Sequence, residues 1–253
     1  MVDTKTLAYI NLFAVLGTIE NLCEIVPEAT ELAQTRKPIA IGFDVKDGPA
    51  ATLTFAEGKV RLDQGILGKT NAVMRFSSPE KFNAMIDGAN PPINLGVALN
   101  AGFLTKQFTE LTKVLESYMR PEPEKLADKK FFEQSTTLMF YTIATALSQI
   151  ANNDEIGKFS AAHTPDGEIG FNIVNGPSAT LRVKDGRFLT IKKKSENPRA
   201  VMEFESIELA RDLFDNKVNA LGCIGTGRIA MTGMISMLDN LNRLLDRVAL
   251  YLA

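Results

Sequence analysis

The chain of 253 residues is poor in the side chains that most nucleophilic and metal-dependent enzymes use: it has one histidine, two cysteines and no tryptophan. Cys23 and Cys223 stand far apart without a partner motif, which argues against a disulfide framework and against a zinc site. His163 lies in a segment typical of a loop, and no second histidine accompanies it to activate a nucleophile. We therefore predict no catalytic residues, no metal and no cofactor, so that the protein is not an enzyme.

The chain also has no large excess of positive or of negative charge. The chain has 28 Lys and Arg against 30 Asp and Glu, which gives a net charge of −2. Nucleic-acid-binding domains usually carry a basic excess or a basic stripe, so we predict no nucleic-acid partner. The one basic run, Lys192–Lys194, is interpreted as the solvated end of a strand. The two unpaired cysteines favour a reducing compartment, and we expect the protein to be cytoplasmic.

Long apolar runs are rare, and the one near the N-terminus spans Leu7–Ile19. It has no basic leader and no small-residue cleavage site of the kind that follows a signal peptide. The run is too short to cross a bilayer as a helix. A similar apolar helix is predicted inside the chain, from about residue 124 to residue 152. We interpret both as buried structural helices and predict no stable membrane insertion.

An internal repeat organises the chain. Residues 41–58 and 169–186 share nine of eighteen positions at a constant offset of 128 residues, without a gap. The segments 72–76 and 200–204, Ala-Val-Met-Arg-Phe and Ala-Val-Met-Glu-Phe, keep the same offset. Such self-similarity is the signature of a tandem duplication. We predict two domains, residues 1–120 and residues 121–253, joined by a short linker stiffened by Pro121 and Pro123.

Each copy follows the same predicted order of elements. An apolar helix is followed by short β-rich runs, including a hairpin whose turn contains Gly58 in the first copy. Ser77-Ser-Pro-Glu has the composition of a helix start, and a short amphipathic helix is expected there. A final strand, near Val97–Leu99 or Arg228–Met231, precedes a long amphipathic helix. This order predicts an α+β fold.

The second copy resembles the sterol carrier protein (type two) domain family. The resemblance is carried by the strand 179–181 before Gly186, the strand 200–204 before a short helix, and the segment 225–234. That last segment is similar to the family's pattern of glycine, basic residue, alternating strand, glycine and methionine. The first copy differs here, with Pro-Pro-Ile-Asn-Leu-Gly at 91–96. The resemblance implies two units, each a five-stranded mixed sheet covered on one side by helices, with an apolar tunnel and no catalytic residues.

Apolar side chains near this implied tunnel are the candidate ligand-binding residues. Pockets for apolar ligands are lined mainly by hydrophobic side chains, and methionine suits irregular linings. The same side chains would equally fill an ordinary close-packed core, and the sequence leaves that alternative open. The predicted lining consists of Phe82, Met85, Phe103, Leu104, Phe108, Phe140, Leu213, Phe214, Met231, Met234, Met237 and Leu238.

Three functional hypotheses follow. The first is non-catalytic binding or transfer of a lipid-like apolar ligand, such as a fatty acid, an acyl-CoA or a sterol-like molecule, between sheet and helices. The second is a ligand-free accessory module that binds a partner enzyme, and the third, ranked last, is an enzyme that uses buried acids. We expect the two copies to pack as an intramolecular pseudo-dimer. The glycine-rich segment Gly222–Gly227 is interpreted as a turn, because a strand-like run follows it where a nucleotide-binding loop needs a helix.

Overall fold

The computed structural model describes residues 2–90, 92, 97 and 100–252. They divide into two compact units, one ending at Gln134 and the other beginning at Ser135. The first unit extends beyond residue 120 because the following segment packs against it: Phe131 stacks on Tyr118 with ring centroids 4.5 Å apart, and Gln134 Nε2 donates to Ile25 O at 2.5 Å. The repeat boundary at residue 120 stays a prediction about the sequence copies.

The first unit begins with a long helix and ends with another. Between them lie a hairpin, a further strand and a short helix. Its elements are α1 (Thr4–Ile25), α2 (Pro27–Leu32), β1 (Ile39–Val45), β2 (Ala50–Ala56), β3 (Lys59–Gln64), β4 (Ala72–Phe76), α3 (Pro79–Ile86) and α4, which comprises Phe103–Phe108 and Thr109–Met119.

The second unit has the same succession of elements, and a short helix and one more strand precede its last helix. Its first helix begins before the unit boundary. Its elements are α5 (Lys129–Asn153), α6 (Glu155–Ala162), β5 (Gly167–Ile173), β6 (Ser178–Lys184), β7 (Arg187–Ile191), β8 (Ala200–Phe204), α7 (Ile207–Phe214), α8 (Ala220–Gly225), β9 (Ile229–Gly233) and α9 (Ile235–Tyr251).

The two sheets are mixed and share their strand order. The first sheet runs β3-β2-β1-β4 and the second runs β7-β6-β5-β8-β9. In each, the first strand is antiparallel to the second and parallel to the fourth, and the parallel registers, Ile41 with Ala72 and Ile169 with Ala200, keep the offset of 128 residues. The predicted α+β class is confirmed.

The predicted count of five strands holds for the second unit alone. In the first unit the described residues form a four-stranded sheet. The fifth strand was expected near Val97–Leu99. Residues 98 and 99 lie outside the described residues, and Val97 is helical. The structure therefore shows four strands for this unit among the residues that it describes, and the segment expected to form the fifth lies mostly outside them.

Local sequence explains where the hairpins turn and where the short helices begin. Glu57 and Gly58 have φ of 52° and 76°, and Asp185 and Gly186 have φ of 50° and 69°. Positive φ at both central residues is the requirement of the tight turn that matches strand twist, and glycine adopts it without strain. Ser78 accepts a hydrogen bond from the Lys81 amide at the start of α3, as predicted for a helix cap.

The long first helix of the first unit is irregular. It is α-helical over Thr4–Tyr9 and Ile19–Ile25, π-helical over Ile10–Val15 and 3₁₀-helical over Leu16–Thr18. The first turns of α4, Phe103–Phe108, are π-helical as well. The corresponding helices of the second unit, α5 and α9, are α-helical throughout. We call α1 and α4, and α5 and α9, the covering helices of the two units.

The conclusion that the N-terminal apolar run is too short to cross a membrane requires a correction. It was drawn for Leu7–Ile19, whereas the helix Thr4–Ile25 is long and apolar enough to cross a membrane by length and composition. Its most apolar window is 72% buried inside the protein, and Ile10 and Leu12 have no exposed surface. The interpretation as a buried structural helix therefore depends on packing and not on length.

Candidate functional site

The interior of the first unit is a cluster of phenylalanine rings between the sheet and the covering helices. Phe43 and Phe55 project from β1 and β2, and Phe82 from α3 is fully buried. Ring centroids are 5.0 Å apart for Phe55 and Phe103, 6.1 Å for Phe55 and Phe108, and 6.3 Å for Phe43 and Phe82. Three predicted residues thus come together on two sheet phenylalanines that sequence analysis did not select.

The other two predicted residues of this unit, Leu104 and Met85, lie on α4 and α3. Leu104 follows Phe103 in the π-helical segment and is 8% exposed. Met85 is half-buried on α3. The strand alternation Ile41-Gly-Phe43-Asp-Val45 was a signal that could have identified the sheet side of the cluster, because alternate residues of a strand face one side.

The second unit has a smaller aromatic cluster. Phe140 of α5 stacks on Phe171 of β5 with ring centroids 5.0 Å apart and planes 11° apart. Phe204 lies 5.3 Å from Phe171, and Phe214 lies 6.4 Å from Phe204. Two predicted residues, Phe140 and Phe214, therefore join through sheet phenylalanines that the sequence analysis did not name.

The other predicted residues of the second unit are buried to different degrees. Met237 and Leu238, in the first turn of α9, are buried. The half-buried members of the set are Leu213, Met231 and Met234. The burial of these side chains is equally consistent with the lining of a pocket and with a filled core. The assignment of the predicted set to a ligand site therefore stays a prediction.

A pair of asparagines is buried where α1 meets α3 in the first unit. Asn11 and Asn83 are 7% and 6% exposed. Asn11 Nδ2 donates to Asn83 Oδ1 at 3.1 Å, and Asn83 Nδ2 donates to Thr4 O at 2.9 Å. Buried amides need such partners, because an unpaired polar group in an apolar interior is costly. This contact gives the first unit an uncharged polar group within its covering layer.

The second unit has a charged residue at the matching position. Arg211 is 4% exposed on α7, five residues after the cap Ser206, as Asn83 is five residues after the cap Ser78. Its Nε lies 3.0 Å from Asp215, and its Nη1 donates to Ser135 Oγ at 2.9 Å. Burial opposes ionisation of Asp215, but hydrogen bonds from Arg211 and Lys217 outweigh it and hold the pKa of Asp215 below its ordinary value.

One hydroxyl in the same layer has no partner. Thr136 is fully buried on α5, and its Oγ1 makes no hydrogen bond among the described residues. Thr136 precedes Phe140 by four residues, so both side chains lie on the same face of the helix. Phe140 stacks on the sheet residue Phe171, so this face of α5 packs toward the sheet.

A buried ion pair joins α6 and α9 in the second unit. Asp154 is 2% exposed and caps α6 by accepting from the Gly157 amide. Arg247 Nη2 and Tyr251 Oη donate to its Oδ2 at 2.6 Å and 2.7 Å. This arrangement is structural in character, because every partner of the carboxylate comes from the ends of two packed helices.

The first unit also has an open surface cleft of about 390 Å³. Its size lies at the low end of the range for small-molecule sites. None of the twelve predicted residues lines it. The lining consists of Val26, Pro27, Glu28, Tyr118, Lys125, Asp128, Lys130, Phe131 and Gln134.

The structure tests two minor predictions, the loop position of His163 and the turn at Gly222–Gly227. His163 is exposed at the C-terminal end of α6, where its Nδ1 lies 2.7 Å from Phe159 O and its ring lies beside that of Phe159. The interpretation of Gly222–Gly227 as a turn was wrong for its first four residues, because Ala220–Gly225 is a short helix capped by Asn219. Among the described residues, no group of three or more His, Cys, Asp or Glu could hold a metal ion.

Comparison with known proteins gives structural matches. No protein-family model matches the chain, and no curated protein matches it significantly. The matching solved structures are predominantly sterol carrier protein 2 domains, which agrees with the resemblance seen in the sequence. The sterol carrier protein domain 2 of Helicoverpa armigera is 21% identical, with a TM-score of 0.35, and the match covers 43% of this chain and 87% of that one.

Two further matching structures have lower sequence identity to this chain. Sterol carrier protein 2 from Yarrowia lipolytica, in its apo form, is 19% identical with a TM-score of 0.32, covering 44% of this chain and 91% of that one. The stereoselective inverting sec-alkylsulfatase Pisa1 from Pseudomonas sp. is 10% identical with a TM-score of 0.28, covering 65% of this chain and 31% of that one. Likeness at this level carries no conclusion about ligand or activity.

Proposed function

We propose that this protein binds or transfers, without catalysis, a lipid-like apolar ligand between the sheet and the covering helices. The ligand class is a fatty acid, an acyl-CoA or a sterol-like molecule. The observation that carries the proposal is the coincidence of two π-helical segments, Ile10–Val15 and Phe103–Phe108, in the covering helices of one phenylalanine-lined unit. We further propose that the protein is cytoplasmic, which its two free cysteines support.

The physical reason lies in what a π-helical turn does. Such turns are rare in proteins and occur frequently at functional sites, because they widen the helix locally and re-aim its side chains. Phe103 and Phe108 both lie in one of these turns and both contact Phe55. Movement of this turn would expose aromatic and aliphatic surface to an apolar ligand, whose burial gains about 25 cal/mol per Å².

Native mass spectrometry of the purified protein, followed by organic extraction, tests the proposal. We expect co-purifying acyl or sterol-like species and saturable binding of a fluorescent fatty-acid probe. Consistent absence of extracted lipid, together with no saturable probe binding, would contradict it.

A partner-binding module is the second candidate, and one surface favours it. Ile156 and Phe159 are 56% and 60% exposed and lie one turn apart on α6. Neighbouring exposed apolar side chains are common at interaction sites. Sedimentation velocity over a range of concentrations compares the wild type with Phe159→Glu. Association that the substitution abolishes would favour this candidate, and monomeric behaviour of both proteins would count against self-association through α6.

A further inference from the structure

The open cleft of the first unit occupies a corner that the second unit fills with its own side chains. The cleft lies between Val26, which precedes α2, and Tyr118 in the last turns of α4. The corresponding corner of the second unit lies between the start of α6 and the end of α9. There Asp154, 128 residues after Val26, accepts hydrogen bonds from Arg247 and Tyr251. The opening is therefore a property of the side chains of the first unit and not of the shared fold.

The floor of this cleft is apolar, and side-chain contacts hold it in place. Phe131 stacks on Tyr118 with ring centroids 4.5 Å apart. The Tyr118 hydroxyl donates to Gln134 Oε1 at 3.3 Å, and Gln134 Nε2 donates to Ile25 O at 2.5 Å. Val26 beside them is 3% exposed. A pre-formed floor of this kind favours binding, because a ligand that covers it does not have to order the protein first.

The rim of the cleft has charges of both signs that are not paired with one another. Glu28 and Lys130 line it, and neither forms an ion pair or a side-chain hydrogen bond within the described part of the chain. Asp128, also on the rim, accepts from the Phe131 amide at 2.7 Å through Oδ1. Burial, with smaller effects of the Glu28 and Asp128 charges, raises the pKa of Tyr118 above its ordinary value. Both carboxylates therefore act on the ring that forms the floor.

We infer that this cleft binds a small zwitterion with an apolar body, of the α-amino acid class. The apolar side chain covers the ring of Phe131, the ammonium group lies at Glu28, and the carboxylate lies at Lys130. Lys125, the other lysine of the rim, is already 3.9 Å from Glu122. A ligand with a single charge would leave the opposite charge of the rim without a partner. The volume of about 390 Å³ suits one such molecule, at the low end of the range for small-molecule sites.

The test compares three probes with the same ring on the full chain: phenylalanine, phenylethylamine, which lacks the carboxylate, and phenylpropionate, which lacks the ammonium group. Ligand-observed NMR titration measures the three dissociation constants. We expect phenylalanine to bind about threefold or more tightly than either analogue, because each analogue loses one ion pair at a solvent-exposed rim.

Two variants of the rim separate the two charges of the ligand. Glu28→Gln should weaken the binding of phenylalanine and phenylethylamine and leave that of phenylpropionate unchanged. Lys130→Met should weaken the binding of phenylalanine and phenylpropionate and leave that of phenylethylamine unchanged. Both side chains are exposed, so neither substitution disturbs the core. Lys129→Met is the matched control, because Lys129 is the adjacent residue and does not line the cleft.

Three results would overturn the inference. The first is that none of the probes binds saturably at millimolar concentration. The second is that phenylalanine binds no more tightly than its analogues. The third is that Lys129→Met weakens phenylalanine binding as much as Lys130→Met does, because the effect would then belong to the general charge of α5.

The inference is independent of the proposed lipid binding. The cleft shares no residue with the predicted lipid lining, so phenylalanine should not displace the fluorescent fatty-acid probe. Displacement would place phenylalanine at the lipid site and overturn the assignment to this cleft. Failure of the fatty-acid probe to bind would contradict the proposed function and leave the inference about the cleft unchanged.

Discussion

Arg247 and Asp154 form a buried ion pair, with Arg247 Nη2 2.6 Å from Asp154 Oδ2 and side chains 12% and 3% exposed. They are 93 residues apart in the chain and join the C-terminal end of α9 to the start of α6. Removing one partner of such a pair leaves an uncompensated buried charge, which is far more destabilising than the loss of a surface pair.

Arg247→Met is therefore expected to lower the free energy of unfolding by about 3–5 kcal/mol. Urea unfolding followed by circular dichroism measures the change. Arg243→Met on the same helix is the control, because Arg243 pairs with Asp239 at 3.0 Å on an exposed surface and should contribute at most about 0.5 kcal/mol. Equal effects of the two substitutions would show that the Asp154 carboxylate is not effectively buried.

The same carboxylate gives the stability a defined dependence on pH. Burial alone would raise the pKa of Asp154, but hydrogen bonds from Arg247, Tyr251 and the Gly157 amide outweigh it and hold the pKa below its ordinary value. A group with a depressed folded pKa stabilises fully above its unfolded value, and this stabilisation is lost as the pH falls through the folded pKa.

We accordingly expect the stability difference between the wild type and Asp154→Asn to be constant from pH 7 to about pH 4. Below that value the difference should narrow, because the unfolded chain takes up a proton that the native carboxylate does not, until the pH falls through the folded pKa. Urea unfolding at a series of pH values measures it. A difference that already narrows near neutral pH would assign the dependence to another group.

Local features were predictable from the sequence, whereas long-range polar contacts were not. The hairpin glycine at Gly58 and the capping Ser78 act through their own backbone neighbourhoods, so composition alone located them. In the sequence, Asp154 has the pattern of an ordinary helix cap. No neighbouring residue indicates that Arg247 and Tyr251 donate hydrogen bonds to its carboxylate. Contacts across such separations are fixed by how helices pack.

The candidate site was predictable in part for the same reason. Phe82, Phe103 and Phe140 were selected as apolar side chains near the tunnel that the family resemblance implies, and the structure places each in an aromatic cluster. The π-helical turns of α1 and α4 have no single-residue signature, because they arise when packing forces an extra residue into a helix. Arg211 was missed because a basic residue in a short amphipathic helix is usually solvent-exposed.

Cys23 gives a measure of how readily the layer of covering helices opens. Burial, with a smaller effect of Glu24, raises the pKa of the Cys23 thiol to about 12, so the native protein holds almost no thiolate at pH 8. In a Cys223→Ser background, we expect Cys23 to react with a thiol reagent only through opening of α1. A bound lipid should slow this labelling further. Rapid labelling that lipid does not change would contradict a ligand held beneath this helix.

The absence of tryptophan makes Phe108→Trp a specific reporter of the first-unit interior. Phe108 is half-buried in the π-helical turn, with its ring 6.1 Å from Phe55 and 6.3 Å from Phe43, so a larger ring at its exposed side causes modest strain, on the order of 1–3 kcal/mol. If a lipid enters under this turn, the emission of the single tryptophan should shift and change in intensity as a saturable function of lipid concentration.

Ile156→Trp, which places the ring on the exposed face of α6, is the matched control and should not respond. A Phe108→Trp variant whose emission stays constant while it still binds the fluorescent probe would exclude the first-unit interior as the lipid site, because a ligand beside Phe55 cannot avoid this ring.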